Sequence, residues 1–391
     1  MIGARCAGAA LAMLLARRGH RVALLERGSF ATDTLSTHFL WQRGAARLQA
    51  WGLLGELQAR GCESIHELAV DFGSVVLTGS GPAVDGIVDT YCPRRTILDK
   101  LLVEAAAQSG AELFEGVAVD EVEWSDGRAT GVTARHRSGA RLRLTGRWIV
   151  GADGLHSTIG SKVGAETYAL HPPLTCVYYA YWSGVRPRGA SFHPRPGRLV
   201  LVWPTNDELT CVYVAWRRAE FPRFKADVEA NFLATLELVP GLRERITAGR
   251  RETPFRGTAD LPNQYRRSHG PGWALVGDAG HHKDPSTGMG MSDAFVSAEL
   301  LADAIDDAAA GRRPPAEALA DYSRARDAAT ANGFRLTLRT AALEAVPNQL
   351  LRYYAEAATD PEQIRLVLGA FGGTLPFEQV FSRERIAATF N

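Results

Sequence analysis

The stretch Trp273–Phe295, WALVGDAGHHKDPSTGMGMSDAF, constrains what this chain can fold into more than any other. Its apolar run Trp273–Val276 predicts a buried strand that breaks at Gly277-Asp278 and runs on through a Pro/Gly/Ser loop. After Gly290, Ala294, Phe295, Ala298, Leu301, Ala302 and Ile305 fall on one face of a helix. Asp278 offers acceptor oxygens at the strand end. Gly288 and Gly290 let backbone approach a flat ligand at the start of a helix whose first N–H groups point outward. An isolated junction of this kind is also ordinary chain punctuation, so its meaning depends on what else the chain carries.

The N-terminus carries a second ligand signature. In MIGARCAGAALAMLLARRGHRVALLER, Gly3 and Gly8 take the first and last places of G-x-G-x-x-G, a helix follows, and Glu26-Arg27 close the next strand. A pyrophosphate on the helix N-terminus and a carboxylate accepting from a ribose hydroxyl are the physics of this motif. Arg5 stands where the middle glycine would be; its Cβ hinders close backbone approach while its guanidinium can itself meet a phosphate. Only Met1 and Ile2 precede Gly3, where a full central strand needs about five residues, so residues upstream of Met1 are expected. The run Cys6–Ala16 has the look of a signal-peptide core, but the turn and buried strand that follow assign it to a folded domain.

With 391 residues the chain can bury a large core in two domains, or in one with a large insertion. A formal net charge of +1 with scattered arginines gives no reason to expect nucleic acid or an acidic membrane surface. No run approaches the ~18 apolar residues of a membrane span. Cys6, Cys62, Cys92, Cys176 and Cys211 are odd in number and widely spaced, which fits reduced thiols in a cytoplasm and signals neither a disulfide framework nor zinc. The histidines form no metal-binding spacing.

Along the chain, helices are expected over 43–60, 96–109, 224–238, 300–310, 316–345 and 349–369. Strands at 113–122, 129–135 and 141–144 suggest a meander. Gly79-Ser80-Gly81-Pro82 imitates a dinucleotide loop, but Val84 fills the third glycine place and Asp85-Gly86 signals a hairpin turn. The apolar run Trp148–Val150 delivers Asp153 within Gly151-Ala152-Asp153-Gly154-Leu155-His156-Ser157. Aromatic-rich strands at 176–182, 198–203 and 209–216 suit either the floor of an apolar pocket or plain sheet core.

Taken together, the glycine fingerprint with Glu26, the mid-chain GADGLHS and the late GDAGHHKDPSTGMG resemble the single-component flavoprotein aromatic hydroxylases, the para-hydroxybenzoate hydroxylase-like class. The resemblance spans Gly3 to about Tyr322. It implies an α/β fold in which a Rossmann-like FAD-binding domain (1–63, 92–165 and 257–310) carries an inserted antiparallel-sheet substrate domain (64–91 and 166–256) and a C-terminal helical region (311–391). It implies FAD held by Gly3, Arg5, Gly8, Glu26, Arg27 and Arg95, with Asp278 beside Gly277 on a ribityl hydroxyl and Pro285, Gly288, Met289, Gly290 and Met291 along the flavin ring. Asp153 belongs to a motif such enzymes use for both FAD and NAD(P)H; the basic residue usual three places after its serine is Gly160 here.

The implied reaction is monooxygenation: NAD(P)H as transient reductant, O2, and transfer of oxygen to an apolar or aromatic small molecule through a flavin C4a-hydroperoxide. His38, His281 and His282 are the candidates for proton handling. A reductase of the geranylgeranyl-reductase type shares these motifs, as does a non-enzymatic redox sensor or scaffold. Halogenases share the fold, but their WxWxI segment is not present in the sequence.

Overall fold

The computed structural model describes residues 1–30 and 32–382. Short apolar segments pair in parallel to make its first layer. Glu112–Glu115 lies beside Ala23–Glu26, Ile149–Gly151 lies beside Trp273–Leu275, and Ile2 bridges the two pairs. The strand expected ahead of Gly3 is thus a single bridged residue, yet it fills its slot. Ile2 N donates to Val150 O at 2.8 Å, Gly3 N to Leu25 O at 2.8 Å and Ala152 N to Ile2 O at 2.7 Å.

Side-chain alternation along these strands sorts the core into two faces. Leu24, Val150, Ala274 and Val276 pack with the helices Cys6–Arg17, Arg95–Gln108 and Gly290–Ala309, while Leu25, Ile149, Trp273 and Leu275 pack against an antiparallel meander. That meander is Val117–Ser125, Arg128–His136 and Arg141–Thr145. The strand expected over 113–122 is split. Gly116, at φ +69°, breaks it, so Glu112–Glu115 joins the parallel sheet and just the second half joins the meander.

Glycine and aspartate break other expected elements. The helix over 43–60 is Gln42–Ala50 and Leu54–Ala59, divided at Gly52 with φ +79°. The helix over 224–238 is divided at Asp227, whose extended backbone and side chain cap Val228–Leu236. The helix over 349–369 is Asn348–Ala357 and Pro361–Phe371, the second capped by Asp360. Asp85 at φ +49° and Gly86 at φ +81° form a two-residue turn between Val84 and Ile87, in place of any phosphate loop.

The second layer is an eight-stranded sheet in which Thr175–Ser183, Thr210–Arg217, Arg198–Pro204 and Ala190–Arg195 run antiparallel, and Leu68–Asp71 with Val76–Gly79 extends the edge. Both of its faces are buried. Tyr179, Tyr181, Leu201, Trp203 and Tyr213 belong to one core, and Ala180, Trp182, Val200, Val202 and Val214 to another beneath the helices between Phe221 and Thr247. The long helix Pro315–Ala341 then crosses back over the first layer, where Tyr322 donates its hydroxyl to Leu275 O at 2.7 Å. Of the C-terminal helical region expected over 311–391, residues 383–391 lie outside the described residues.

Packing at Gly8 gives a direct test. A Cβ there would fall 1.9 Å from Gly3 O, a clash with backbone that no rotamer relieves. Gly8→Ala should destabilise the chain by roughly 3 kcal/mol, read as a lower melting temperature without added ligand. At Gly290 an added Cβ meets open space, so Gly290→Ala should melt as the parent does.

Candidate functional site

Two helix N-termini meet at the C-terminal edge of the parallel sheet. The helix Cys6–Arg17 starts without a side-chain cap and with no acidic residue in its first turn. Gly290–Ala309 also starts without a side-chain cap, and the one acid of its first turn, Asp293, forms a buried ion pair with Lys283. The turn Gly277–Ala279 locks them together. Gly277 sits at φ +61°, and a Cβ on it would fall 2.6 Å from Ala7 Cβ. Free N–H groups at both helix starts leave a junction that an anion or a polar ring would satisfy.

Burial shows where a ligand can reach. From Val276 to Ala298 only Asp278 and Gly290 are exposed and Pro285 is half-buried; every other residue is buried. Gly288, in the left-handed region at φ +64°, is pressed on Phe39, its hypothetical Cβ 3.1 Å from Phe39 Cβ. Met289 and Met291 are buried in separate cores. The loop is held from behind: Asp284 accepts from Thr175 Oγ1 at 2.6 Å and from Ser286 N at 3.0 Å, and Trp41 Nε1 donates to Thr287 O at 2.9 Å. Burial pushes the Asp284 carboxyl up from its ordinary value.

The N-terminal residues are committed largely to one another. Glu26 accepts from Ala4 N at 3.0 Å through one oxygen and from Gly28 N at 2.9 Å through the other, so it shapes the glycine loop with one lone pair left on each. Arg27 is exposed beside it. Gly3 has φ +95°, and a Cβ on it would lie 2.4 Å from Ala152 O. Asp99, which sequence reasoning missed, is the hub. It accepts from Arg95 Nε at 3.0 Å, Arg5 Nη1 at 2.9 Å and the Cys6 thiol at 3.4 Å. Burial opposes charge on Arg95, but Asp99, with Cys6 and Asp278, outweighs it and raises the guanidinium above its ordinary value. The i,i+4 spacing of Arg95 and Asp99, on the same helix as the buried Leu98, Leu101 and Leu102, was the available signal.

Asp153 lies beside Gly3, and its carboxylate caps the short helix Thr158–Lys162, accepting from Ser157 Oγ at 2.5 Å and Ile159 N at 3.0 Å. The three histidines do not converge on the exposed points. His38 is fully buried at φ +58°, with Nε2 2.6 Å from Tyr181 Oη and Nδ1 without a hydrogen-bond partner among the described residues. Burial, then Arg95, Arg94 and Arg256, hold it well below the usual imidazole range, so it is neutral. His281 stacks on Tyr265 at 4.3 Å and is likewise held neutral by burial, Lys283 and Arg326. His282 is tied through Nδ1 to Pro262 O at 2.5 Å; together with His281 it forms a two-residue strand inside the expected loop.

The five cysteines are buried free thiols, and the described residues hold no cluster of metal-ligating side chains and no helix long and apolar enough to cross a membrane.

Residues 1–335 match the family described as FAD binding domain. Digeranylgeranylglycerophospholipid reductase 1 of Methanopyrus kandleri is 26% identical over 325 residues, 78% of this chain and 80% of that protein. Among solved structures, the myxobacterial chondrochloren halogenase CndH superposes with a TM-score of 0.81 at 23% identity, covering 99% of this chain and 94% of that one. PqsL, a probable FAD-dependent monooxygenase from Pseudomonas aeruginosa, does so with a TM-score of 0.72 at 23% identity, covering 100% and 98%. The glycine fingerprint, the junction of two uncapped helices and the match over most of its length make one conclusion: this chain belongs to the FAD binding domain family and is a flavoprotein of the FAD-dependent oxidoreductase superfamily.

Proposed function

We propose that this protein is an NAD(P)H-dependent monooxygenase that places an oxygen atom on an apolar or aromatic small molecule. The observation that carries the proposal is the pattern of exposure on the late strand-loop-helix, where Asp278 and Gly290 alone are open in a buried run beside a large aromatic-walled sheet. FAD, when bound, supplies acceptance of a hydride from NAD(P)H and activation of O2. The chain supplies placement, charge and dryness.

In this reading Gly3, Arg5, Gly8, Glu26, Arg27 and Arg95 hold the dinucleotide half. Asp278 accepts from the ribityl chain, and Pro285, Gly288, Met289, Gly290 and Met291 border the ring. The N–H groups at Gly290 and Met291 favour negative charge on the reduced ring. Arg95, kept cationic by Asp99, adds positive field on the pyrophosphate side. Asp153 orders the strand end next to Gly3, within the motif that would serve both FAD and NAD(P)H. His38, paired with Tyr181, holds the loop against the substrate sheet as a neutral group. The sheet drawn from 64–91 and 166–256 is the substrate domain, and its aromatic face keeps water from the ring.

A second reading, a flavin-dependent reductase, has in its favour the 26% identity to the archaeal reductase over 78% of this chain. One assay separates the two. Purified protein with FAD is supplied with NADH or NADPH under air and with candidate phenols, polyketides and polyprenoids. Substrate-stimulated oxygen uptake with an oxygenated product supports the monooxygenase; saturation of a double bond without oxygen uptake supports the reductase and overturns it. Asp278→Ala, which removes a charged hydrogen-bond acceptor worth about 1.5–3 kcal/mol, should weaken FAD binding roughly tenfold to hundredfold. Because Asp278 is exposed, the melting temperature of the flavin-free variant should stay within about 2 °C of the parent.

A further inference from the structure

A cavity of about 470 Å³ opens between the substrate sheet and the C-terminal helices, within the range that takes a drug-sized ligand. Its inner wall is Trp41 with Ser286 and Thr287, the same loop that the Trp41 indole fixes through Thr287 O at 2.9 Å. Its floor is the edge of the large sheet, through Val70, Phe192 and Leu199. Its roof is drawn from Leu343, Val346, Tyr354, Phe371 and Phe377. The family match ends at residue 335. The matched portion therefore builds the inner wall and floor, and the roof comes from the helices that follow it.

The lining fixes the chemistry of the occupant. Trp41 and Phe192 stack at 5.8 Å, and Phe72 and Tyr354 at 4.5 Å with 12° between planes, so flat aromatic faces border the space. Two arginines in the lining are already neutralised: Arg195 Nη2 is 3.0 Å from Asp71 and Arg198 Nη1 is 2.6 Å from Glu220. At the mouth Arg339 and Glu344 are both exposed and of opposite sign. The charges of the lining and their partners balance, and a charged group passing beyond the mouth would lose hydration without meeting an unpaired side-chain charge.

We propose that residues 336–377 form the selecting wall of the substrate cavity, and that it takes an uncharged, largely apolar, ring-containing small molecule. As the route to reaction, this rests on the reading above that the loop from Pro285 to Gly290 borders the flavin; as a binding site it stands on the cavity alone.

The test uses the purified full chain and N-phenyl-1-naphthylamine, an uncharged fused-ring fluorophore, titrated to saturation. One site per chain is expected, with 8-anilino-1-naphthalenesulfonate, its charged counterpart, binding at least tenfold more weakly. Ala342→Trp and Val346→Trp, each filling the cavity from the roof, should weaken the neutral probe at least tenfold while far-UV circular dichroism and FAD uptake match the parent. Unchanged binding in whichever of the two variants folds, or equal or tighter binding of the sulfonate, overturns the proposal. Probe binding that both variants abolish in a protein that takes up no FAD supports the cavity and overturns the flavin reading alone. Displacement of the probe by a turned-over substrate, with a shift in the flavin absorption band, supports both.

Discussion

A helix N-terminus leaves its first N–H groups without intrahelical acceptors, and this fold brings two such ends to one edge of a sheet. Contact between Gly277 and Ala7 sets their separation, since any side chain at Gly277 would collide with the first helix. The rest of the site follows from that contact. Glu26 is drawn under the glycine loop by Ala4 and Gly28, Asp99 gathers Arg5, Arg95 and Cys6 behind it, and the late loop is clamped by Thr175 and Trp41. Residues with no direct role toward a ligand thus consume most of the polar contacts, and those left open are few.

Packing also fixes the residues of the glycine fingerprint. At the middle position, Arg5, the guanidinium is turned to Asp99 and Thr32. Gly3 and Gly8 are required first by close packing against Ala152 O and against each other. Three buried cations here are paired: Lys283 with Asp293, Arg95 with Asp99, and Arg326 with Asp327, the Arg326 guanidinium also reaching Gly280 O and Arg266 O. Breaking such a pair strands a buried charge, which costs more than the pair contributes when intact.

Local patterns were legible in the sequence and distant pairings were not. The strand to Val276, the turn at Gly277-Asp278 and the helix from Gly290 could be read because the period changes from strand to helix within one short stretch. Helix breaks at Gly52, Asp227 and Asp360 were missed where apolar spacing ran on across a capping residue. Asp99 carried a signal in its spacing from Arg95, but nothing local shows that Arg5 and Cys6 arrive from the far end of the chain. The pairing of His38 with Tyr181 is likewise nonlocal. The register of the large sheet stayed unreadable for a different reason: its strands are apolar on both faces, so alternation cannot tell Tyr179, Tyr181 and Trp203 from Ala180, Trp182 and Val202.

In the proposed function, the open points on the late strand-loop-helix face a flavin. A crystal structure of the protein reconstituted with FAD tests it most directly. The ring system is expected along Pro285–Met291, with a ribityl hydroxyl on the Asp278 carboxylate and the pyrophosphate at the start of the helix Cys6–Arg17. A dinucleotide bound with its ring system away from Gly290, or a ribityl chain with no contact to Asp278, would contradict it.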